Sequence, residues 1–370
     1  MHKIAKLLYC RLLISILASK FGNWNLETRM STSWPEFLEA QGAQFNGEQV
    51  VAFSKPPHSS QPALVDLSPM GIVQVSGEGS SKLLQGQLTC DINHVNNSNA
   101  KLGAYCTPKG RMLNNFWVWQ PNDNFMFFLP RNAITNFSQT LSKYAVFYKC
   151  TISDSSDEWV QLAIIGSEAS STLTQLGFPT PSDVLQVATQ NQLQVITLPG
   201  KQGYLLSCPK SQAEDCWSKL SKHCSPAGYG YWQEYLVNQG IAWVDQQCQE
   251  KYLPQQFNLQ HLEGINFKKG CYTGQEVVAR TQYLGKLKSC LYRITLPKNT
   301  AVLAGQSLYS PTHNSSVGEI ISLNHATQPT EALAVLMTKA IDANSVYLDQ
   351  DFSKKVHLLS LPYTITNEGS

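Results

Sequence analysis

The sequence predicts an α+β fold, and three observations lead to that prediction. Segments typical of strands and of helices follow one another irregularly along the 370 residues, without the regular βαβ order of a doubly wound sheet. No glycine-rich phosphate-binding fingerprint follows a predicted strand. After about residue 284 the chain changes to short strands separated by turns, which indicates a small β-barrel or sandwich as a C-terminal domain. A chain of this length accommodates two or three domains.

The elements are predicted in chain order from hydrophobic periodicity and from turn residues. Residues 49–69 are rich in Pro and Ser and are interpreted as a linker or loop. Ile134, Phe137, Leu141 and Tyr144 are spaced by three and four residues, which predicts one buried face of a helix over 131–146. A strand is predicted to follow. The predicted strands are 71–76, 101–106, 111–120, 124–129, 147–152, 159–165, 193–198, 203–208, 287–296, 306–309, 317–323, 332–337, 345–348 and 355–359; the other helices are 80–84, 168–176, 212–223 and 232–239.

Charge and cysteine content limit the class of protein. A formal charge of +2 is too small to indicate a nucleic-acid coat. The ten cysteines include no Cys-x-x-Cys pair and no nearby histidines at zinc spacing, so we expect no metal site built from protein ligands alone. Irregular cysteines in a long chain favour reduced thiols in a cytoplasmic protein. No later segment has the apolar length of a membrane span.

The first thirty residues are treated separately. Met1–Lys6 is basic and Leu7–Ala18 is apolar, as in a signal peptide, but Arg11 interrupts the apolar run. Met30 is a credible alternative start. We interpret residues 1–30 as an extension or a mis-called start, with a true targeting peptide as the alternative.

The segment Asn266–Arg280 is the strongest candidate for a functional site, because it concentrates reactive groups between two apolar runs. Cys271 follows two consecutive lysines, whose positive field favours the thiolate. Gly270 and Gly274 free the backbone for positive φ or for close approach of a ligand. The alternative is a glycine-bounded loop with solvated lysines and a buried structural cysteine. The surrounding residues 268–293 hold six basic residues against one acid, so an anionic ligand or partner is expected there; the basic residues are Lys268, Lys269, Arg280, Lys286, Lys288 and Arg293.

The string Lys269-Gly-Cys-Tyr-Thr-Gly-Gln-Glu276 resembles the signature of the YgfZ family of folate-binding proteins, relatives of the glycine-cleavage T-protein, an aminomethyltransferase. Individually weaker matches run from about Gly71 to the end of the chain. They are Gln85-Gly-Gln-Leu-Thr-Cys-Asp91, Lys109-Gly-Arg-Met112, Lys143-Tyr-Ala-Val-Phe147, Asn258-Leu-Gln, Val278-Ala-Arg280 and Leu358-Leu-Ser-Leu-Pro-Tyr363.

The resemblance implies a ring of three domains, with mixed antiparallel sheets, helices and a C-terminal β-barrel, that holds tetrahydrofolate in a central hole. The implied domains are 66–140 with 230–284 (folate-binding), 141–229 (a second α+β domain) and 285–370 (the barrel). Members of the family are linked to the making or repair of iron–sulfur enzymes, including one that methylthiolates tRNA. The implied partners are therefore folate and iron–sulfur client enzymes or assembly factors, without direct tRNA binding.

By the same resemblance, Cys271 and Lys269 are the candidate catalytic residues. One departure concerns Asn114 and Asn115, which stand where the T-protein has an acidic pair. Asparagine forms hydrogen bonds but cannot take up a proton, so aminomethyl transfer is not expected. These residues either face the pterin or lie on the solvent side of a strand. The candidate folate-binding residues are Lys269, Gly270, Tyr272, Gly274, Gln275, Glu276, Arg280 and Asn114.

Two hypotheses follow for the function. The first is a folate-binding accessory protein for iron–sulfur enzymes, in which Cys271 acts on a shared or transient cluster, since a cluster generally takes four protein ligands. The second is a folate-dependent one-carbon transferase, with Glu276 or Asp91 as the acid or base. A tRNA-binding module that stacks bases on Tyr272, Tyr283 and Tyr292 is not favoured, because tyrosines in strands usually belong to the core.

Overall fold

The computed structural model describes residues 33–285, 287–324 and 330–365. The predicted extension at residues 1–30 lies outside the described residues. The chain divides into two compact units, Met1–Ala40 and Gln41–Ser370. In the described part of the first unit, Trp34 stacks on Phe37 with ring centroids 5.4 Å apart within helix α1 (Trp34–Ala40). The described residues contain no helix that is long and apolar enough to span a membrane.

The second unit combines β-sheets with helices, which confirms the predicted α+β class. The strands are β1 (Ala43–Asn46), β2 (Gln49–Phe53), β3 (Ala63–Asp66), β4 (Met70–Ser76), β5 (Lys101–Cys106), β6 (Met112–Trp119), β7 (Phe125–Pro130), β8 (Thr151–Asp154), β9 (Trp159–Ile165), β10 (Val187–Gln190), β11 (Leu193–Thr197), β12 (Gly203–Pro209), β13 (Ser225–Ala227), β14 (Ser289–Thr295), β15 (Ser307–Leu308), β16 (Gly318–Asn324), β17 (Glu331–Met337) and β18 (His357–Leu359). The helices are α2 (Ser80–Gln85), α3 (Ile134–Ala145), α4 (Ala169–Gln175), α5 (Lys210–Leu220), α6 (Gly230–Gln239), α7 (Gln275–Tyr283) and α8 (Thr338–Asp342).

Three larger sheets and one hairpin organise these strands. The hairpin pairs β1 with β2, and the sheets have the orders β5-β6-β7-β4-β8, β10-β11-β12-β9-β3-β13 and β15-β16-β17-β14-β18. Neighbouring strands are antiparallel, except that β13 runs parallel to β3. Mixed, mainly antiparallel sheets of this kind leave one face of each sheet free to pack against helices.

A single apolar core joins the three larger sheets, and its centre is aromatic. The Trp117 ring lies 5.6 Å from Phe128, 5.9 Å from Trp232 and 5.1 Å from Trp243, measured between ring centroids. Leu205 of β12 and Leu333 of β17 bury their side chains in the same cluster. Edge-to-face and stacked pairs such as these add to the free energy gained by burying apolar surface. The centre of the second unit is therefore closely packed.

The helix predicted over 131–146 is confirmed as α3, and it buries Ile134, Phe137 and Leu141 as expected. The prediction fails at its C-terminal end. Tyr144 is exposed, and the strand predicted over 147–152 begins later than predicted, because Val146–Tyr148 forms a 3-10 turn and β8 begins only at Thr151. Lys149 follows this turn in the left-handed conformation (φ 53°), which lies outside the region of φ and ψ that strands occupy.

The structure also bears on the predicted linker, the predicted C-terminal barrel and the predicted domain boundary. Residues 49–69 are not a linker, since they contain β2 and β3, and the polar composition reflects only the loop between these strands. The predicted C-terminal barrel is not confirmed. Among the described residues, the outer strands β15 and β18 are only two and three residues long and do not pair with each other directly, and isolated bridges join Tyr347 to Tyr309 and to Lys355. The predicted domain boundary at 140/141 falls inside α3, and the domain assignment itself stays a prediction.

Candidate functional site

The signature segment forms an irregular loop, residues 264–274, here called the Cys271 loop. It lies along residues 85–91, the second sequence motif. The Asn266 N–H donates to the Thr89 carbonyl oxygen over 2.9 Å, and the Thr89 hydroxyl donates to the Gly264 carbonyl oxygen, 175 residues away in the chain, over 2.6 Å. At the other end the Thr273 N–H donates to the Gly86 carbonyl oxygen over 3.2 Å. Two motifs far apart in the sequence are therefore one structural unit.

Lys269 lies inside this unit with its side chain buried. Its ammonium donates to the carbonyl oxygens of Leu88 (2.8 Å) and Cys90 (2.7 Å) and lies 5.3 Å from the centre of the Tyr272 ring. Burial lowers the pKa of Lys269 to about 8, although negative charge on Cys90 and Asp91 would act in the opposite direction. The ammonium group of Lys269 therefore binds the backbone of residues 88–90. The catalytic role of Lys269 stays a prediction. The solvated-lysine alternative applies only to Lys268.

The two glycines of the loop have different environments. Gly274 has φ +84°, and a Cβ there would lie 2.5 Å from the Thr107 carbonyl oxygen and 3.0 Å from the Cα of Gly110. This contact brings the third motif, 109–112, against the Cys271 loop. Gly270 does not have positive φ, and a Cβ added there would have no neighbour within 4 Å. The expected backbone freedom is confirmed at Gly274, whereas open space lies beside Gly270.

Cys271 is the exposed residue among the nine cysteines of the described part of the chain; Cys150 is half-buried and the others are buried. The alternative of a buried structural cysteine is therefore wrong for this position. Cys271 is thus exposed beside the open space at Gly270, as a cysteine available to a reactant in solution must be.

The remaining signature residues divide into an inner and an outer group. Tyr272 is buried, its hydroxyl has no hydrogen-bond partner in the described part of the chain, and burial raises its pKa. Gln275 is the first residue of α7, and Glu276 and Arg280 lie on its exposed face. Among the three tyrosines proposed as stacking platforms, Tyr283 alone is exposed.

The asparagine pair of β6 is buried, so the alternative of a solvent-facing position is wrong. Asn115 is fully used for structure: its amide donates to the Ala242 carbonyl oxygen over 2.8 Å and its oxygen accepts from the Val244 N–H over 2.7 Å. Neither side-chain atom of Asn114 has a hydrogen-bond partner among the residues that the structure describes. The structure therefore does not bring Asn114 together with the residues of the Cys271 loop by any hydrogen bond.

Two cavities share a lining residue, Ile241. Trp117 lines one cavity and Trp243 lines the other, and the two tryptophan rings pack against each other. The larger cavity, about 750 Å³, is here called the Trp243 cavity; the smaller, about 610 Å³, is called the Lys101 cavity. The predicted site residues line neither. The polar and aromatic residues of the Trp243 cavity are Glu48, Arg131, Asn132, Tyr229, Gln233, Trp243, Asp245 and Ser322. Sequence reasoning missed them, because they come from separate elements and form no motif.

Known proteins can now be compared with this geometry. A profile of the GCVT N-terminal domain matches residues 58–265, more than half of the chain. The tRNA-modifying protein YgfZ of Colwellia psychrerythraea is 35% identical over 230 residues, which cover 62% of this chain and 70% of that protein. The chain belongs to the YgfZ family and carries a GCVT N-terminal domain. The resemblance inferred from the motifs is thereby confirmed.

Other YgfZ relatives match a larger part of the chain. The tRNA-modifying protein YgfZ of Escherichia coli is 28% identical over 306 residues, covering 82% of this chain and 93% of that protein. Among solved structures, the glycine cleavage system aminomethyltransferase T of Bartonella henselae has a TM-score of 0.71 at 15% identity and covers 88% of this chain and 96% of that one. At this identity the likeness concerns the fold. It confirms the T-protein-like architecture of this YgfZ-family chain.

Proposed function

We propose that this protein is a folate-binding accessory protein that supports the assembly or repair of iron–sulfur enzymes, including an enzyme of tRNA methylthiolation. Tetrahydrofolate would bind in the Trp243 cavity, and Cys271 would act on a client at the surface. The observation that carries the proposal is the accessible thiol of Cys271 on a loop held by hydrogen bonds to residues 86–90. The names of the YgfZ relatives support the link with tRNA modification.

The hydrogen bonds of the Cys271 loop and the exposure of Cys271 suit a reactive surface site. Most of the polar groups of the loop point inward and hold its backbone, while the thiol points outward. A single thiolate cannot hold an iron–sulfur cluster, which generally takes four protein ligands. Cys271 would therefore contact a cluster, a sulfur atom or a thiol that a client protein presents. We propose a cytoplasmic location as well, because the nine described cysteines are free thiols.

The Trp243 cavity fits tetrahydrofolate in size and chemistry. Ligand pockets of this type have roughly 300–1,000 Å³ and combine apolar walls with a few polar groups, and this one has about 750 Å³. Trp243 and Tyr229 offer flat aromatic faces to a pterin, and Gln233 and Asp245 offer an amide and a carboxylate to its edge. Bound tetrahydrofolate would supply a reduced pterin able to carry one-carbon units.

Arg131 is suited to the carboxylates of the folate tail. Its guanidinium is bound 2.9 Å from Asp157, whose side chain is almost fully exposed. An ion pair in water contributes little, so a folate carboxylate can replace Asp157. The Lys101 cavity fits less well, because Lys101 presents a point charge, whereas the planar guanidinium of an arginine binds a carboxylate through two hydrogen bonds.

Separate variants test the two parts of the proposal. Gln233→Leu and Arg131→Gln should weaken anaerobic tetrahydrofolate binding at least tenfold in calorimetry, whereas Lys101→Gln, in the other cavity, should leave it unchanged. Cys271→Ser should bind folate normally but fail to restore iron–sulfur enzyme activity in cells that lack the protein, with Cys150→Ser as the matched control. Full activity of Cys271→Ser would remove the thiol from the proposal, and unchanged folate binding in both cavity variants would remove the cavity.

The one-carbon transferase hypothesis gains no support from the positions of its candidate acids. Asp91 caps a 3-10 turn, where its carboxylate accepts from the Asn93 N–H and the Gln85 amide, and Glu276 lies on the exposed face of α7. Neither lines the Trp243 cavity. Turnover of methylene- or formyl-tetrahydrofolate by the purified protein would favour the transferase instead.

A further inference from the structure

An exposed apolar tip follows helix α3, within the motif that runs from Lys143 to Phe147. Val146 and Phe147 expose 80% and 82% of their surface, and Tyr144 beside them is also exposed. Large apolar side chains that are almost fully exposed and adjacent mark interaction sites when they form a patch. Neither cavity nor the Cys271 loop uses these residues. Their exposure is unexplained by the proposed chemistry.

The tip is held in place by close backbone packing. A Cβ on Gly79 would lie 2.2 Å from the Tyr148 carbonyl oxygen, and one on Gly77 would lie 2.4 Å from the Lys149 carbonyl oxygen. The Cys150 N–H donates to the Ala145 carbonyl oxygen over 3.1 Å, which closes the turn. The backbone below Val146 and Phe147 therefore rests directly on the loop before α2. Side chains presented by a fixed backbone lose little entropy when a partner buries them.

Basic side chains surround the tip. Lys82, Lys143 and Lys149 are exposed, and none of the three takes part in an ion pair within the described part of the chain. Segments 77–82 and 143–150 contain these three lysines and one acid, Glu78. An apolar centre with a charged rim is the usual anatomy of a protein–protein interface. The charge of this rim is complementary to an acidic partner.

Helix α2 places the tip close to the Cys271 loop. Gly79, at the N-terminal end of α2, contacts Tyr148 of the tip, and Gly86, at its C-terminal end, accepts a hydrogen bond from Thr273. Six residues of helix separate these two glycines, and the seven steps from one to the other span about 10 Å at 1.5 Å per residue. A partner that covers about 800 Å² of this protein spans that distance.

We infer that Val146 and Phe147 form the anchor of a docking surface for the client protein, which places an apolar pocket with an acidic rim over the tip and its reactive group at Cys271. This inference rests on the proposed function, since it supplies the partner of the same thiol. A protein is favoured over an RNA because Val146 and Phe147 together make an apolar centre within a charged rim, which is the usual anatomy of a protein–protein interface.

The probe for the test is the purified tRNA-methylthiolating iron–sulfur enzyme of the same organism, with binding measured anaerobically against immobilised full-length protein. Val146→Ser with Phe147→Ser should weaken its affinity at least tenfold and leave the midpoint of thermal unfolding unchanged, because both side chains are exposed. Val51→Ser with Phe352→Ser is the matched control, since these residues are of the same types and are 46% and 39% exposed; it should stay within twofold of wild type. Raising the salt concentration should slow association, since rim lysines steer an acidic partner.

Other outcomes are equally clear. Cys271→Ser should still bind the enzyme, so that failure of the thiol's role and failure of docking are separate results. Wild-type protein that does not bind the enzyme, or a tip variant that binds it within twofold of wild type, would overturn the inference. So would a tip variant that loses affinity only for tRNA, or one that converts a wild-type dimer to a monomer, because the tip would then contact RNA or a second copy of this chain.

Discussion

The ammonium group of Lys269 donates a hydrogen bond of 2.7 Å to the carbonyl oxygen of Cys90, 179 residues earlier in the chain. A second hydrogen bond, to Leu88, and the nearby ring of Tyr272 complete its environment. Lys269 thus holds the signature motif against residues 85–91. Cys271, the candidate reactive residue of the signature, is exposed.

Replacing this lysine should destabilise the protein. In Lys269→Met the methylene stem is kept, but the carbonyl oxygens of Leu88 and Cys90 lose their buried donor, and each unsatisfied group costs about 1–3 kcal/mol. We expect the free energy of unfolding in urea to fall by about 2–4 kcal/mol. Lys268→Met, at the exposed neighbour, should change it by less than about 0.5 kcal/mol. Equal effects of the two substitutions would contradict the structural role.

The stability difference between wild type and Lys269→Met should depend on pH. The pKa of Lys269 is lowered from 10.5 to about 8 by burial, so between these values the unfolded chain binds more protons than the folded one. The free energy of unfolding of wild type therefore rises with pH in this window, relative to the variant. Urea unfolding of both proteins from pH 7 to 10.5 measures the gap between their free energies of unfolding, which should widen as the pH rises. A constant or narrowing gap would mean that the carbonyl hydrogen bonds keep the pKa near its ordinary value.

Alanine at the two loop glycines should separate folding from function. Gly274→Ala combines φ +84° with a contact of 2.5 Å to the Thr107 carbonyl oxygen, so we expect a loss of more than about 1 kcal/mol in the free energy of unfolding. Gly270→Ala meets no neighbouring atom and should leave that free energy unchanged. If Gly270→Ala nevertheless fails to restore iron–sulfur enzyme activity in cells, a client approaches the loop at this position. Full activity would show that no client needs the open space.

Alkylation of the native protein should find one fast thiol among the nine described cysteines. Cys271 is exposed and the remaining eight are buried or half-buried, so iodoacetamide followed by peptide mass spectrometry should label Cys271 first. Unfolding in urea should make the others react at similar rates. Labelling of Cys150 as fast as Cys271 in the folded protein would contradict the assigned exposures.

The two buried asparagines should respond differently to leucine. Asn115→Leu leaves the Val244 N–H and the Ala242 carbonyl oxygen without partners, so we expect a loss of about 2–4 kcal/mol in the free energy of unfolding. The Asn114 side chain makes no hydrogen bond to any described residue, and leucine of similar size should be neutral or stabilising there. Thermal unfolding of both variants, each compared with wild type, tests these two expectations. A strong destabilisation by Asn114→Leu would reveal an interaction of Asn114 that the structure does not show.

The sequence predicted much of the local structure. Helix α3 follows from the spacing of Ile134, Phe137 and Leu141, and strand β5 has the predicted bounds, because periodicity directly records which side chains face a core. The strand predicted to begin at Phe147 was misplaced. The 3-10 turn there depends on packing against Gly77 and Gly79, which no local pattern encodes.

The candidate site shows the same division. The sequence by itself determined the family and the dense signature around Cys271, because residue types and their spacing carry that information without a fold. Only the tertiary structure decided that Lys269 is turned inward, that the Trp243 cavity lies away from the signature, and that Val146 and Phe147 are exposed. Burial, cavities and long-range hydrogen bonds arise between residues far apart in the chain, and local sequence does not specify which partner each side chain meets.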